Sequence, residues 1–301
     1  SAMSILTLVD TKIGLGRLRD IPAVADSAAE LFGQYTFGMN LINLPPSFVF
    51  PVTMSLIPFA AAALTRRDHA EAGRIVSSGF RIVAVLAIPA GVGLSVVGGP
   101  ALQMLYPLRQ ADAIAAGPHM RWLGIACVFM CLMNLTNVIL QTYGKEMIPI
   151  WTVIAGGVTK EVMNYILVGN PAINIHGAPI STLCCYVVIV GLNLFFVWKY
   201  SPEKPRYLQI FAKPAIASAL MGGAVWAVHG FLSRALFSVL TSGERTVERA
   251  SYMTNAAATL CGILAGVIVY AILVVAMRIL RAEDLKTIPH GAKLAKLLHL
   301  R

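Results

Sequence analysis

Charge is scarce in this chain. Only 13% of its 301 residues are Asp, Glu, Lys or Arg, against about 25% in soluble domains. Carboxylates are scarcer still, 14 Asp and Glu beside 24 Lys and Arg. Hydrophobic residues reach 57% and the mean hydropathy is +0.73. That balance excludes a soluble helical core, because its long apolar stretches would have nothing to cover them in water.

The chemistry of an enzyme is also missing. There is no Walker-type phosphate loop, no nucleophile elbow and no pair of carboxylates placed for acid/base work. His69, His119, His176, His229, His290 and His299 show no metal-ligand spacing, and no cofactor motif is present. Cys127, Cys131, Cys184, Cys185 and Cys261 all lie in apolar stretches, where cysteine behaves as a small buried hydrophobe. The net charge of +10 does not imply nucleic acid. The basic residues sit mostly between apolar stretches and in the tail, where anionic lipid headgroups would meet them. No basic stripe is interleaved with aromatics.

What is present is a succession of seven long apolar runs, at 32–64, 75–98, 118–142, 147–168, 175–198, 208–232 and 251–280. A spanning helix needs roughly 20 apolar residues, so each run is long enough to cross a bilayer. The fold class is therefore all-α, a polytopic membrane helix bundle. Before the first run, residues 1–9 are apolar but too short to span, and Asp10, Lys12, Arg17 and Arg19 follow at once. This reads as the second half of a helix followed by a basic loop, and the chain as a C-terminal piece of a larger protein. Prolines 45, 46, 51 and 58 predict a bend in the 32–64 helix. Gly98-Gly99-Pro100 predicts the end of the next one, and residues 108–117 a polar loop. Gly262 and Gly266 predict close helix packing in the last. The tail from Arg281 either lies on the membrane surface as an amphipathic segment or is solvated.

Loop charge sets orientation. Arg66, Arg67, Arg74, Lys145, Lys199, Lys204, Arg206, Lys213 and the tail cations fall on one side, and they outnumber the cations on the other. The positive-inside bias predicts a cytoplasmic C-terminus.

Polar residues at membrane depth are costly and face a bundle interior or a wet cavity. Thr152, Gly156, Lys160 and Asn164 recur at i, i+4 and share one helix face. Lys160 lies roughly 20 Å into its span, too deep for easy snorkelling. Its neighbour Glu161 points about 100° away and is the only deep carboxylate this reading finds. Asn134, Asn137 and Gln141 line a second face, and Asn40 and Asn43 add amides on the proline-rich helix. Two readings stand. The amides and Lys160 line a water-accessible cavity suited to an anionic headgroup, or they hold helices together by hydrogen bonds.

The stretch Leu31-Phe-Gly-Gln-Tyr-Thr-Phe-Gly-Met-Asn-Leu-Ile-Asn-Leu-Pro45 followed by Ser55-Leu-Ile-Pro58 resembles the stage V sporulation protein B family. So do Arg81-Ile-Val-Ala-Val-Leu-Ala-Ile-Pro-Ala-Gly-Val-Gly-Leu, Leu105-Tyr-Pro107 and the ending Glu283-Asp-Leu with Ile288-Pro. The resemblance spans nearly the whole chain and places it in the polysaccharide-biosynthesis flippase branch of the MATE-like MOP superfamily. It implies 14 helices, in two six-helix lobes and a final pair. Residues 1–200 would then be the second lobe from part of helix 7 to helix 12, and 201–301 the extra pair with a cytoplasmic tail.

The implied function is alternating-access flipping of an undecaprenyl-linked saccharide, for peptidoglycan, polysaccharide or sporulation, in the bacterial plasma membrane. The implied partners are a lipid-linked oligosaccharide, membrane lipids and the absent N-terminal lobe. Lys160, Asn164, Asn40, Asn43, Asn134, Asn137 and Gln141 would contact the headgroup. Asn40 stands where the lipid II flippase has an arginine five residues before the helix-8 proline. Two alternatives remain open: a cation-coupled multidrug antiporter using Glu161, and a non-transporting membrane partner in cell-wall or spore-envelope assembly.

Overall fold

The computed structural model describes the backbone of residues 2–201, 203–241 and 247–279, with side chains from 10–201, 203–236 and 251–279. Among the described residues every regular element is a helix. Helix α1 is Ala2–Arg19, α2 Ala28–Ile42, α3 Leu44–Thr65, α4 His69–Leu105 and α5 Gln110–Ala116. They are followed by α6 Met120–Thr142, α7 Met147–Leu167, α8 Gly177–Tyr200, α9 Tyr207–Thr241 and α10 Val247–Ala276. Consecutive long helices run in opposite directions. One end of the bundle therefore gathers the connections at 66–68, 143–146 and 201–206 together with the close of α10; the other gathers 20–27, 106–119 and 168–176.

Among the described residues six helical stretches are long and apolar enough to cross a membrane: Ala25–Thr65, His69–Leu105, Pro107–Thr142, Asn174–Tyr200, Tyr207–Leu236 and Ser251–Ala276. The expected seventh span forms as α7 but is not among them. Its Thr152, Lys160, Glu161 and Asn164 lower its hydropathy, and α1 and α8 cover its polar face.

Four local expectations change. The 32–64 segment is broken rather than bent, with a turn at Asn43 between α2 and α3. Pro45 and Pro46 take the first turn of α3, where a missing N–H costs nothing. Helix α4 does not stop at Gly98-Gly99-Pro100 but continues to Leu105. The two glycines let it press on the neighbouring segment; a Cβ on Gly99 would lie 3.1 Å from the Gly117 Cα. The following polar stretch is not a loop but contains α5. Finally, α1 runs on through Arg19, which puts Asp10, Lys12 and Arg17 on a helix instead of in a basic loop.

The main core is built where α6 packs between α4 and α8, around Phe80, Leu102, Met120, Leu123, Leu135 and Ile189. Helices α9 and α10 pack on each other and on α4. Gly266 sits against Val225 of α9, and a Cβ there would come within 2.6 Å of its Cγ2. The small-residue face of α10 is thus used inside the chain. Tyr252 and Asn255 of α10 donate to the Met104 and Pro100 carbonyls of α4. Tyr270 donates to the Val85 carbonyl at 3.0 Å. That carbonyl lies four residues before Pro89, which has no N–H to offer it. Four cysteines are buried or half-buried as expected, whereas Cys261 is exposed on α10.

Candidate functional site: a polar cluster between the first helix and helices seven and eight

The polar face of α7 meets α8 and α1 in two layers. In the first, Thr152 donates to the Asn193 side-chain carbonyl at 2.8 Å. Asn193 of α8 in turn donates to Thr136 at 3.0 Å and to Asn137 at 2.8 Å. One fully buried amide on α8 therefore joins α6 and α7. Gly156 follows one turn on, packed so closely that a Cβ would lie 2.3 Å from Ile189 Cγ1 and 3.0 Å from the Cys185 carbonyl.

The second layer lies about 12 Å further along α7, eight residues from Thr152. The Lys160 ammonium donates to Asp10 Oδ2 of α1 at 2.7 Å. The Asn164 amide donates to Asp10 Oδ1 at 2.6 Å. Ser181 of α8 donates to the Asn164 side-chain carbonyl and also to the Ala178 carbonyl. Beside them the Tyr35 and Thr182 hydroxyls are 2.7 Å apart, which ties α2 to α8. The Lys160 and Asp10 side chains are 17% and 11% exposed, so the pair is shielded but not sealed.

This corrects the view that Glu161 is the only deep carboxylate. Asp10 supplies the countercharge for Lys160, so an empty cavity is not needed to explain the lysine's depth. Sequence spacing could not reveal the pair, because its members lie 150 residues apart. The available signal was Asp10 itself, an acid directly after an apolar run in a chain with few acids. Ser181, Asn193 and Tyr35 were likewise not singled out. Both Glu161 carboxylate oxygens are shielded from solvent and have no hydrogen-bond partner among the described residues.

The remaining predicted residues divide. Asn137 is held by Asn193, while Asn134 is half-buried and Gln141 exposed on the same helix. Asn40 and Asn43 are exposed. Asn40 borders a groove of about 310 Å³ with Leu15, Phe32, Thr36, Phe37 and Arg109. Arg109 lies over the Phe37 ring, 5.1 Å from its centroid, and pairs with Asp112 at 2.8 Å. The structure thus brings Lys160 and Asn164 together and leaves the other amides at separate places.

The cluster can do two things chemically. It locks α1 against α7 and α8 while closed, since breaking a buried ion pair strands a charge at about 3–5 kcal/mol. It also offers a cation and an amide to an anionic group that separates them from Asp10.

Comparisons with known proteins agree with this arrangement of helices. Residues 33–243 match the family model described as lipid II flippase MurJ. The chain is 26% identical over 278 residues to the uncharacterized membrane protein YabM of Bacillus subtilis (strain 168), covering 92% of this chain and 48% of that protein. It is 22% identical over 199 residues to lipid II flippase MurJ of the same organism, covering 64% of this chain and 36% of MurJ. The chain therefore spans about half the length or less of these curated relatives. Among solved structures it resembles the inward-facing conformation of a multidrug resistance MATE family transporter of the MOP superfamily. The TM-score is 0.51 at 15% identity, over 97% of this chain and 68% of the other. That likeness concerns the fold.

Proposed function

Because this chain belongs to the lipid II flippase MurJ family, we propose that it forms the second-lobe portion of a flippase or exporter for an undecaprenyl-linked saccharide. It is a multi-pass membrane protein, and its family and fold are those of transporters. In this reading residues 1–200 are the lobe and 201–301 an added pair of helices with its tail. The end of the bundle rich in Arg66, Arg67, Arg74, Lys145 and Lys204 faces the cytoplasm of a bacterial cell, following loop charge.

The observation that supports alternating access best is the Lys160–Asp10 pair. It is an ion pair at membrane depth between two helices distant in sequence, and in this reading it opens when α1 moves. In the closed state Asp10 neutralises Lys160 and accepts from Asn164. When α1 moves away, Lys160 and Asn164 are released to hold the diphosphate of the headgroup, whose negative charge replaces the Asp10 carboxylate. Exposed Asn40, Asn43 and Gln141, with half-buried Asn134, serve the sugar. Asn137 contributes through Asn193. Rocking of one lobe against the other then carries the headgroup across while the lipid chain stays in the bilayer.

Flipping of a fluorescent undecaprenyl-diphosphate saccharide by the full-length protein in proteoliposomes tests this reading. Lys160→Ala should abolish flipping in protein that still reaches the membrane, and Lys160→Arg should retain part of it. Normal transport by Lys160→Met sinks the headgroup role. Accumulation of Lys160→Ala only as aggregate assigns the lysine to folding alone.

A further inference from the structure

Well away from the Lys160 cluster, a cavity of about 450 Å³ opens between α4, α9 and the end of α10. Its lining carries Arg81 from α4, Lys213 from α9 and Arg278 just past α10, together with Leu208, Gln209 and Ile279. Cations from two helices and from the turn after a third thus face one space.

The cations are held there by the fold. Ile279 is buried against Val85, Ala217 and Val274, which pins the end of α10 to α4 and α9. The Lys213 ammonium donates to the Met277 carbonyl at 3.1 Å, which places a cation at the negative end of α10. Arg278 takes a left-handed backbone conformation, φ 47°, as the chain turns out of the helix. Its N–H still closes on the Val275 carbonyl at 3.1 Å.

Depth gives the next constraint. Helix α4 has 37 residues, about 55 Å of helix against a hydrocarbon core of about 30 Å. It must overshoot that core, so Arg81, three turns from its start, comes near headgroup level. Lys213 is two turns into α9, and Arg278 lies beyond the end of α10. On the rim Leu208 is 83% exposed and turns an apolar side chain outward. A basic concavity at the interface with an apolar rim matches an amphiphile with a phosphate head and a hydrocarbon tail.

We propose that this cavity binds the phosphate headgroup of a membrane lipid, with Arg81, Lys213 and Arg278 as its cations. Guanidinium groups bind phosphate oxygens by paired N–H donors, and the lysine acts as a point charge. A lipid seated here bridges the final helix pair to α4. The site stands whether or not the protein flips a saccharide.

Two sources carry this chemistry, a bilayer phospholipid and a polyprenyl diphosphate. The experiment is native mass spectrometry of the full-length protein in detergent. Phosphatidylglycerol, phosphatidylcholine and undecaprenyl diphosphate are offered one at a time at equal concentration. Phosphatidylglycerol or undecaprenyl diphosphate should be retained over phosphatidylcholine, and each of Lys213→Gln and Arg278→Gln should cut that preference about fivefold, the share of one interfacial cation. The triple variant with Arg81→Gln should bind all three lipids alike, while Arg81→Lys with Arg278→Lys should keep most of the preference. Far-UV circular dichroism and elution volume verify that the variants are folded. Stronger retention of undecaprenyl diphosphate identifies the carrier lipid as occupant, and equal or stronger retention of phosphatidylglycerol identifies the bilayer phospholipid. The proposal is overturned by parity among the lipids in the unmodified protein, or by a preference that survives the triple variant. It is also overturned if the preference emerges only with Glu283→Gln and Asp284→Asn, since the chain's own acidic stretch is then the occupant.

Discussion

Asp10 and Lys160 form an ion pair at 2.7 Å between α1 and α7, and Asn164 holds the second oxygen of the same carboxylate. The pair explains how a lysine can sit at membrane depth. Water is replaced by a countercharge and an amide, so each remaining charge depends on the other.

That dependence has a measurable form. Asp10→Asn or Lys160→Met alone should each destabilise the protein by about 3–5 kcal/mol, because each strands a shielded charge or its partner. The double variant should recover most of the loss, since two uncharged groups need no compensation. Thermal unfolding of the full-length protein in detergent, followed by fluorescence-detected gel filtration, reads all three. Additive losses in the double variant would show that the two groups do not depend on each other.

A second relationship joins α4 and α10. Pro89 leaves the Val85 carbonyl without its helical donor, and the Tyr270 hydroxyl fills the gap from α10. Tyr270→Phe should cost about 1 kcal/mol, the net worth of one hydrogen bond. In a Pro89→Ala background, where an N–H returns, the same change should be nearly silent. Equal melting shifts in the two backgrounds would disconnect Tyr270 from the proline.

Two glycines separate side-chain crowding from backbone crowding. A Cβ on Gly156 meets the Ile189 side chain, Cγ1 at 2.3 Å and Cδ1 at 2.7 Å, as well as a carbonyl at 3.0 Å. A Cβ on Gly124 meets the Ser95 amide nitrogen at 2.5 Å and the Gly91 carbonyl at 2.6 Å, which are backbone. Both Gly→Ala changes should destabilise by about 1–3 kcal/mol through overpacking. Adding Ile189→Ala should restore much of the Gly156→Ala loss. Trimming Ser95 to alanine should restore little at Gly124, because the backbone remains. Rescue of Gly124→Ala by Ser95→Ala would show that α4 and α6 can separate without penalty.

Much of the architecture was legible along the chain. Apolar length alone requires helices in a bilayer, because no other open backbone satisfies its own polar groups there. The i, i+4 spacing of Thr152, Gly156, Lys160 and Asn164 placed them on one face, and that face is indeed the contact with α8 and α1. Local signals failed where tertiary packing outweighed them. Gly98-Gly99-Pro100 stays helical because its glycines permit a close approach to Gly117 and Met120. Asn43 breaks a run that hydropathy could only show as continuous.

The identity of Lys160's partner was beyond any local signal. Periodicity reports which residues share a face of one helix; it says nothing about which helix comes to that face. Asp10, Ser181 and Asn193 lie on other helices, and only the packing of α1, α7 and α8 brings them within hydrogen-bond reach. The same holds for Arg81, Lys213 and Arg278, which are unrelated in sequence and meet in one cavity because Ile279 anchors the end of α10. The sequence by itself determined the solvent, the helices and their polar faces, since these depend on composition and spacing. The tertiary structure alone decided which charges meet, since that depends on how the helices cross.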